Sequence, residues 1–354
     1  MIGIGTSPLM LLLALREVQR GAKVTLIDRA EAPGGAWRSI DLFGHLGVEP
    51  AVHLLENRPG IAQYLQAASG VEMIADPDTP DFGLWRGRKI GIGATRVALH
   101  SLVGAKALLG GKVEQARRMG ISARRALANL KTPFVYPAHG MGDVVQALAQ
   151  RFTEAGGTLR LGQEVTGVAL DGAGATIRLA QGEIGAACVM FTSRAHAPLS
   201  GSPVAARTGV IRNVVLHFDG EWAAPTGYVE VFGDKTIKRL RNTGALARRA
   251  PGASGALASV QLRPAAGIPA NDLARDLAGD MTGDLTHDLA EETLAHLQRL
   301  GVIRPGANAL GARLFLAPSD TAQSAPLAKI AARNPARFRF VESTDFAEAL
   351  VKLI

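Results

Sequence analysis

The residues best suited to chemistry stand at the start of the chain, in the stretch MIGIGTSPLM. Gly3 and Gly5 flank one residue, Thr6 and Ser7 add small hydroxyls, and Pro8 stands where a helix can open. Pro8–Arg20 has helical apolar spacing, with proline at its first position and Gly21 as its stop. Val24–Ile27 then reads as a short strand ending at Asp28, twenty residues past Pro8. A β-α-β unit of this composition can hold a dinucleotide. Glycines let the main chain approach a pyrophosphate, the helix start offers N–H groups and partial positive charge, and the acid accepts from ribose hydroxyls. Pro8 replaces the third glycine of the usual pattern and suits a first helical turn. A structural turn without ligand is the alternative. Only Met1 and Ile2 precede Gly3, so the first strand is expected to be a stub that weakens the edge of the sheet. An incomplete or misassigned start would leave the same stub.

Two further stretches extend the pattern. APGGAWRS places Gly34-Gly35 about six residues after the acid, and YPAHGMGDVVQALAQRFTEAGGTLRLGQEVTGV spans Tyr136–Val168. In the second, Asp143–Ala155 reads as a helix closed by Gly156-Gly157. Thr158–Leu161, Val165–Leu170, Ala175–Leu179 and the apolar Ala187–Thr192 read as strands. With these residues in this order the chain resembles the FAD-dependent superfamily of amine oxidases, protoporphyrinogen oxidases and phytoene desaturases.

The resemblance implies an FAD site. Gly3, Gly5, Thr6, Ser7 and Pro8 would meet the diphosphate, and Asp28 with Arg29 the ribose end. Gly34, Gly35, Ala36, Trp37 and Arg38 would wrap the cofactor. The backbone of Val165 would meet the adenine, while Thr192 and Ser193 would lie near the end of a strand passing the cofactor. Ala36 stands where relatives carry a first arginine, with Arg38 as its substitute. Relatives also end in a strand, a Gly-Asp turn and a helix. The ending ARFRFVESTDFAEALVKLI offers a strand at Phe338–Val341 and a helix at Asp345–Leu353 capped by Ser343 or Thr344, but no glycine. Glu342 or Asp345 would replace the acid of that turn.

The expected fold class is α/β. A discontinuous Rossmann-like FAD-binding domain (1–41, 134–197 and 336–354) carries an inserted α+β substrate-binding domain (42–133 and 198–335). VIRNVVLHFDG and TGYVEVFGDKTIKRLRNTG alternate like antiparallel strands with turns at Asp219-Gly220 and Gly233-Asp234, ASVQLRP reads as another strand, and Asn271–Leu300 reads as a helix. Asp272, Asp276, Asp280, Asp284 and Asp288 recur on that helix as a solvated face. KIGIGATR repeats a Gly-x-Gly spacing without a following acid, so it reads as a turn, and no nicotinamide site is expected. His45 and His53 lack metal-ligand spacing, though His45 could lie near a flavin face. Lys238 and Arg241 suit an anionic substrate group or plain surface charge, and His139 is a catalytic or flavin-adjacent candidate, with a structural role as the alternative.

Composition sets the outer bounds. With 354 residues, 47% hydrophobic and 20% charged, the chain can build a large core. No apolar run is long enough to span a membrane, so a soluble, cytoplasmic protein is expected. The lone Cys188 sits in an apolar run and reads as a buried thiol. The net charge of +8 collects partly in Lys112–Lys131, where Arg117, Arg118, Arg124 and Arg125 share one helix side. That side reads as solvated, or as attracting an acidic substrate, an anionic membrane surface or a partner. Nucleic acid is not expected, because aromatics make up only 5% and none interleave with these arginines. The functional expectation is an FAD-dependent oxidoreductase on a small-molecule substrate, taking hydride from a carbon next to nitrogen or desaturating a carbon–carbon bond. Alternatives are a non-redox flavoenzyme, an isomerase or mutase, and a degenerate non-enzymatic member binding a ligand or partner.

Overall fold

A computed structural model of the chain describes residues 1–58, 60–76, 82–85, 88–129, 134–171, 174–192, 210–263, 285–318, 324–341 and 346–351. Its first layer is a sheet of five parallel strands: β1 (Ile2–Ile4), β2 (Thr25–Ile27), β10 (Thr158–Arg160), β14 (Val189–Thr192) and β21 (Phe338–Val341). Their order is β10-β2-β1-β14-β21, so chain segments from both ends and the middle of the sequence meet in one sheet. The stub strand is therefore central, not an edge. Ile2 and Gly3 are held on one side by Val189 and Met190 and on the other by Thr25 and Leu26. Two flanking partners make up for the shortness of β1.

Helices α1 (Pro8–Gln19) and α5 (Met141–Glu154) cover one face, where Leu26 and Met190 join Met10, Leu11, Val144, Val145, Leu148 and Phe152 in one core. The opposite face carries Ile2, Ile4, Ile27, Val189 and Phe191. It packs on a meander of β11 (Val165–Asp171), β12 (Gly174–Leu179) and β13 (Gly182–Ala186) and on helix α7 (Ser324–Arg333). Each fully buried leucine contributes roughly 1.5–3 kcal/mol to that packing. Cys188 enters this core edge as an inert thiol, and burial pushes its pKa up.

A second sheet of seven strands runs β20-β15-β19-β17-β16-β7-β8. It is built from β7 (Phe82–Trp85), β8 (Arg88–Gly91), β15 (Val210–Asp219), β16 (Tyr228–Phe232), β17 (Ile237–Arg241), β19 (Ala256–Leu262) and β20 (Asn308–Pro318). Val214, Leu216, Val229, Leu240 and Val260 fill one face beneath helix α6 (Leu285–Arg299). Two small sheets complete the strands, one of β3 (Ile40–Leu42), β4 (His45–Val48) and β18 (Arg248–Arg249), the other of β5 (Leu55–Glu56), β6 (Met73–Ala75) and β9 (Phe134–Pro137). The remaining helices are α2 (Ile61–Ser69), α3 (Ile92–Leu109), α4 (Val113–Asn129) and α8 (Phe346–Val351).

Two expectations change, and a third lies largely outside the described residues. KIGIGATR is not a turn: β8 runs straight into α3 at Ile92. It builds no second dinucleotide unit, because β8 is the antiparallel hairpin partner of β7. Gly233-Asp234 does close the hairpin of β16 and β17, but Asp219-Gly220 does not form one, since β15 pairs with β19 and β20. The acidic helix is described from Leu285, which leaves Asp272, Asp276, Asp280 and Asp284 outside the described residues.

The central strand β1 is closely approached at Gly3. A Cβ there would lie 2.5 Å from Leu26 Cδ2 and 2.8 Å from Met10 Sδ. Gly3→Ala is expected to cost about 1–3 kcal/mol by overpacking, read as a lower urea midpoint with an unchanged slope.

Candidate active site

The loop after β1 is organised by one buried side chain. Thr6 donates its hydroxyl to Asp28 Oδ2 at 2.6 Å, and its amide donates to the same oxygen at 2.8 Å. The Thr6 hydroxyl in turn accepts from the Gly34 amide at 3.1 Å, and the Thr6 carbonyl lies 3.0 Å from the same N–H. Thr6 thus ties the acid at the end of β2 and the Gly34-Gly35 turn to the glycine loop. Asp28 Oδ1 accepts from the Ala30 amide at 3.1 Å. The carboxylate, with about four lone-pair sites, keeps acceptor capacity on its half-buried side.

The local sequence explains this geometry. Gly5 (φ +88°) and Gly34 (φ +121°) adopt conformations that favour glycine. A Cβ on Gly5 would meet nothing within 4 Å, so the loop opens there onto space. A Cβ on Gly34 would lie 2.8 Å from Val145 Cγ1, which sets the turn hard against α5. Gly35 is exposed, and a Cβ on it would come no closer to a neighbour than 3.9 Å, at Ser7. Ser7 caps α1 through the Met10 amide at 3.4 Å, and Pro8 fills the first helical position.

Backbone accounting then marks the site. The Gly5 amide is used by the Ile27 carbonyl, Thr6 by Asp28, and Gly34 by Thr6. Among the described residues nothing accepts from the amides of Ser7, Leu9, Gly35 or Ala36. These four donors gather where the helix start meets the Gly-Gly turn, as anion binding requires.

The other expected residues divide. Trp37 is buried, with its ring 4.6 Å from Phe346 and 5.9 Å from His53, so it packs the core beneath the turn. Arg38 is half-buried and forms no ion pair among the described residues, while Arg29 is exposed beside Asp28. Val165 is buried at the start of β11, beside a bulge that ends at Gly167, and the Gln163 amide donates to the Asp28 carbonyl at 2.9 Å. Thr192 is buried at the end of β14, next to the central strand. Ser193, Glu342 and Asp345 lie outside the described residues. His139 is exposed, and His45 is buried with Nδ1 on the Phe43 carbonyl at 3.1 Å.

Sequence reasoning missed a buried polar chain that joins this groove to the seven-stranded sheet. His53 Nε2 lies 2.6 Å from the Ala36 carbonyl, and the His53 carbonyl accepts from Arg241 Nη1 at 3.0 Å. Arg241 Nη2 pairs with Asp76 Oδ1 at 2.7 Å, and its guanidinium lies 4.2 Å over the Tyr136 ring. The Tyr136 hydroxyl donates to Glu49 Oε2, and the Met141 amide donates to Glu49 Oε1 at 2.6 Å. The Ser259 hydroxyl in β19 donates to the Glu49 carbonyl at 2.5 Å. Arg241 is thus no surface charge or ready anion receptor, since it is fully buried and spent on Asp76, His53 and Tyr136. Lys238 is exposed. Only Tyr136 carried a signal, through the Tyr-Pro stretch; Glu49 and Asp76 stood in segments without pattern.

The chain also explains Gly140 and Gly142. Gly140 (φ +100°) leaves room for Glu49, whose Oε1 would lie 2.9 Å from a Cβ there. A Cβ on Gly142 would collide with Ser39, just after the Gly-Gly turn. The two distant motifs therefore touch each other across the start of α5.

The family model described as flavin containing amine oxidoreductase matches residues 55–198. No curated protein sequence matches. Among solved structures, an oxidoreductase from Methanosarcina mazei is 15% identical with a TM-score of 0.56, covering 90% of this chain and 88% of that one. A candidate protoporphyrinogen oxidase from Exiguobacterium sp. 255-15 is 12% identical with a TM-score of 0.62, covering 97% and 93%. Reduced UDP-galactopyranose mutase is 12% identical with a TM-score of 0.63, covering 96% and 88%. The family match and the common fold bear out the resemblance read from the two glycine motifs.

Glu49 supplies a pH test. Burial pushes its carboxyl above the ordinary 4.5, outweighing the lowering by the Tyr136 hydroxyl, the Met141 amide and Arg241. The folded chain then holds the proton more tightly than the unfolded one. Stability that is full below 4.5 is lost as pH rises through the raised value. In urea unfolding across that window the wild type is expected to lose stability relative to Glu49→Gln. A difference that stays flat with pH contradicts a buried, proton-holding Glu49.

Proposed function

We propose, for a chain with the fold of the flavin-containing amine oxidoreductases and a segment matching their family model, that it binds FAD and acts as an FAD-dependent oxidoreductase. One observation carries the reading: four amides without acceptors among the described residues, on Ser7, Leu9, Gly35 and Ala36, lie where α1 begins, with the Asp28 carboxylate held beside them by Thr6. The residues present fit the cofactor. Those amides and the start of α1 would bind the diphosphate, Gly5 opens the space for it, and Asp28 would accept from the ribose. Arg38, without an acid partner among the described residues, would add positive charge. The bound flavin supplies hydride acceptance from substrate.

This chain's own contribution is to place a substrate and keep water away. We assign the parallel-sheet layer to the cofactor and the seven-stranded sheet to the substrate. The face of the seven-stranded sheet opposite α6 mixes apolar residues such as Val215, Leu257 and Tyr228 with a row of polar ones. Across neighbouring strands, register sets Phe315, Asn213, Gln261, Arg239 and Glu230 in one row. Arg239 Nε donates to Gln261 Oε1 at 2.5 Å. Asn213 is buried, and its carbonyl oxygen takes no hydrogen bond among the described residues. A buried amide oxygen left in this state costs about 1–3 kcal/mol, and a donor on the substrate would satisfy it. On the same face, the row sits two pairs beyond Ser259 and Arg241, whose pin to Glu49 and Asp76 holds the two layers in register.

The test is spectroscopic. Purified protein, as isolated or after incubation with FAD and desalting, is expected to show the visible absorption of bound oxidised flavin. Asp28→Ala is expected to weaken FAD binding about 10–100-fold, the worth of charge-assisted hydrogen bonds of roughly 1.5–3 kcal/mol. Circular dichroism checks that the variant is folded. A colourless protein that cannot be reconstituted would leave the non-enzymatic reading in its place.

A further inference from the structure

Among the described residues, the large apolar side chains most open to solvent gather on one projection. Helices α3 and α4 form a hairpin in which α4 packs on α3, and α3 returns to the body through β8. The two cross closely: a Cβ on Gly104 would lie 3.1 Å from Met119 Cβ and 3.7 Å from the Ala116 carbonyl. Beyond this crossing only Ala107 on α3 is buried. Leu102 is 69% exposed, Leu108 61%, Leu109 91% and, across the Gly110-Gly111 turn, Val113 66%.

Spacing makes these residues a surface. Leu102, Ala105 and Leu109 recur at i, i+3 and i+7, with Leu108 beside them, so the side of α3 turned from α4 is an apolar stripe where a solvated helix carries charge. Leu102 lies about 10 Å along the helix from Leu109. The charges nearby share one sign. Residues 92–129 hold seven cations (Arg96, Lys106, Lys112, Arg117, Arg118, Arg124 and Arg125) and a single acid, Glu114. That acid is already bound to Arg117 at 2.8 Å. Lys106 and Lys112, both exposed, flank the leucines at the tip.

We propose that the α3–α4 tip docks on an anionic lipid surface, with Leu108, Leu109 and Val113 entering the headgroup boundary and Lys106 and Lys112 meeting lipid phosphates. Two weak signals, apolar insertion and basic charge, together give stable interfacial binding where either alone is marginal. The lysine stems reach past the apolar side chains to the headgroups. Shape favours lipid over a folded partner, since a narrow tip with apolar side chains around it can be enveloped by acyl chains. The contact is peripheral, because no described helix is long and apolar enough to cross a membrane.

The full-length protein is tested by co-sedimentation with vesicles of phosphatidylcholine, alone and mixed with phosphatidylserine. It is expected to pellet with the mixed vesicles, and less as salt rises. A Leu108→Ser/Leu109→Ser double variant is expected to lose roughly tenfold in vesicle affinity, with an unchanged melting temperature because both side chains are exposed. Lys106→Glu/Lys112→Glu is expected to abolish the preference for mixed vesicles. No binding by the wild type, or binding that neither variant weakens, overturns the proposal. So does a concentration-dependent dimer, dissolved by the leucine variant, in a protein that ignores vesicles: the tip would then belong to a second copy of the chain.

Discussion

Everything proposed for the groove depends on the buried hydroxyl of Thr6. It donates a hydrogen bond to Asp28 and accepts one from the Gly34 amide, so a single side chain fixes three separated stretches of chain. Without it, the end of β2 and the Gly-Gly turn would each hold to the loop by fewer bonds, and Asp28 would have no fixed orientation from that side. The arrangement also decides which donors remain. By consuming the amides of Thr6 and Gly34 internally, it leaves the binding capacity to Ser7, Leu9, Gly35 and Ala36. Pre-organised donors of this kind bind an anion without reorganising to do so.

A second constraint joins the groove to the sheet beyond it. Arg241 and Asp76 are an ion pair withdrawn from water, with the guanidinium also covering Tyr136 and holding the His53 carbonyl. Burying such a pair gains little stability over an apolar replacement, but removing one partner strands the other charge. The pair's neighbour Glu49 bonds to β9, to the first turn of α5 and to β19 at once, so α5 and the seven-stranded sheet share one polar joint.

Much of this was legible in the sequence where local rules govern. Glycine spacing, Pro8 at a helix start and Gly21 at its end located the first β-α-β unit, and the Tyr-Pro and Gly-Met-Gly stretch located α5. The position of β1 was not legible, because strand order comes from pairing across more than a hundred residues. The role of Arg241 was hidden for the same reason: its partner lies 165 positions away, and a lone arginine on a strand looks like surface. KIGIGATR reads as a turn because no acid follows it, but its glycine spacing also suits the strand-to-helix junction of β8 and α3, whose strand is antiparallel to β7.

A crystal structure grown with excess FAD tests that first loop most directly. The account predicts density for the diphosphate within hydrogen-bonding distance of the Ser7, Leu9, Gly35 and Ala36 amides, with the ribose on the free side of Asp28. Density for FAD elsewhere, or a groove that stays empty at saturating flavin, would contradict it.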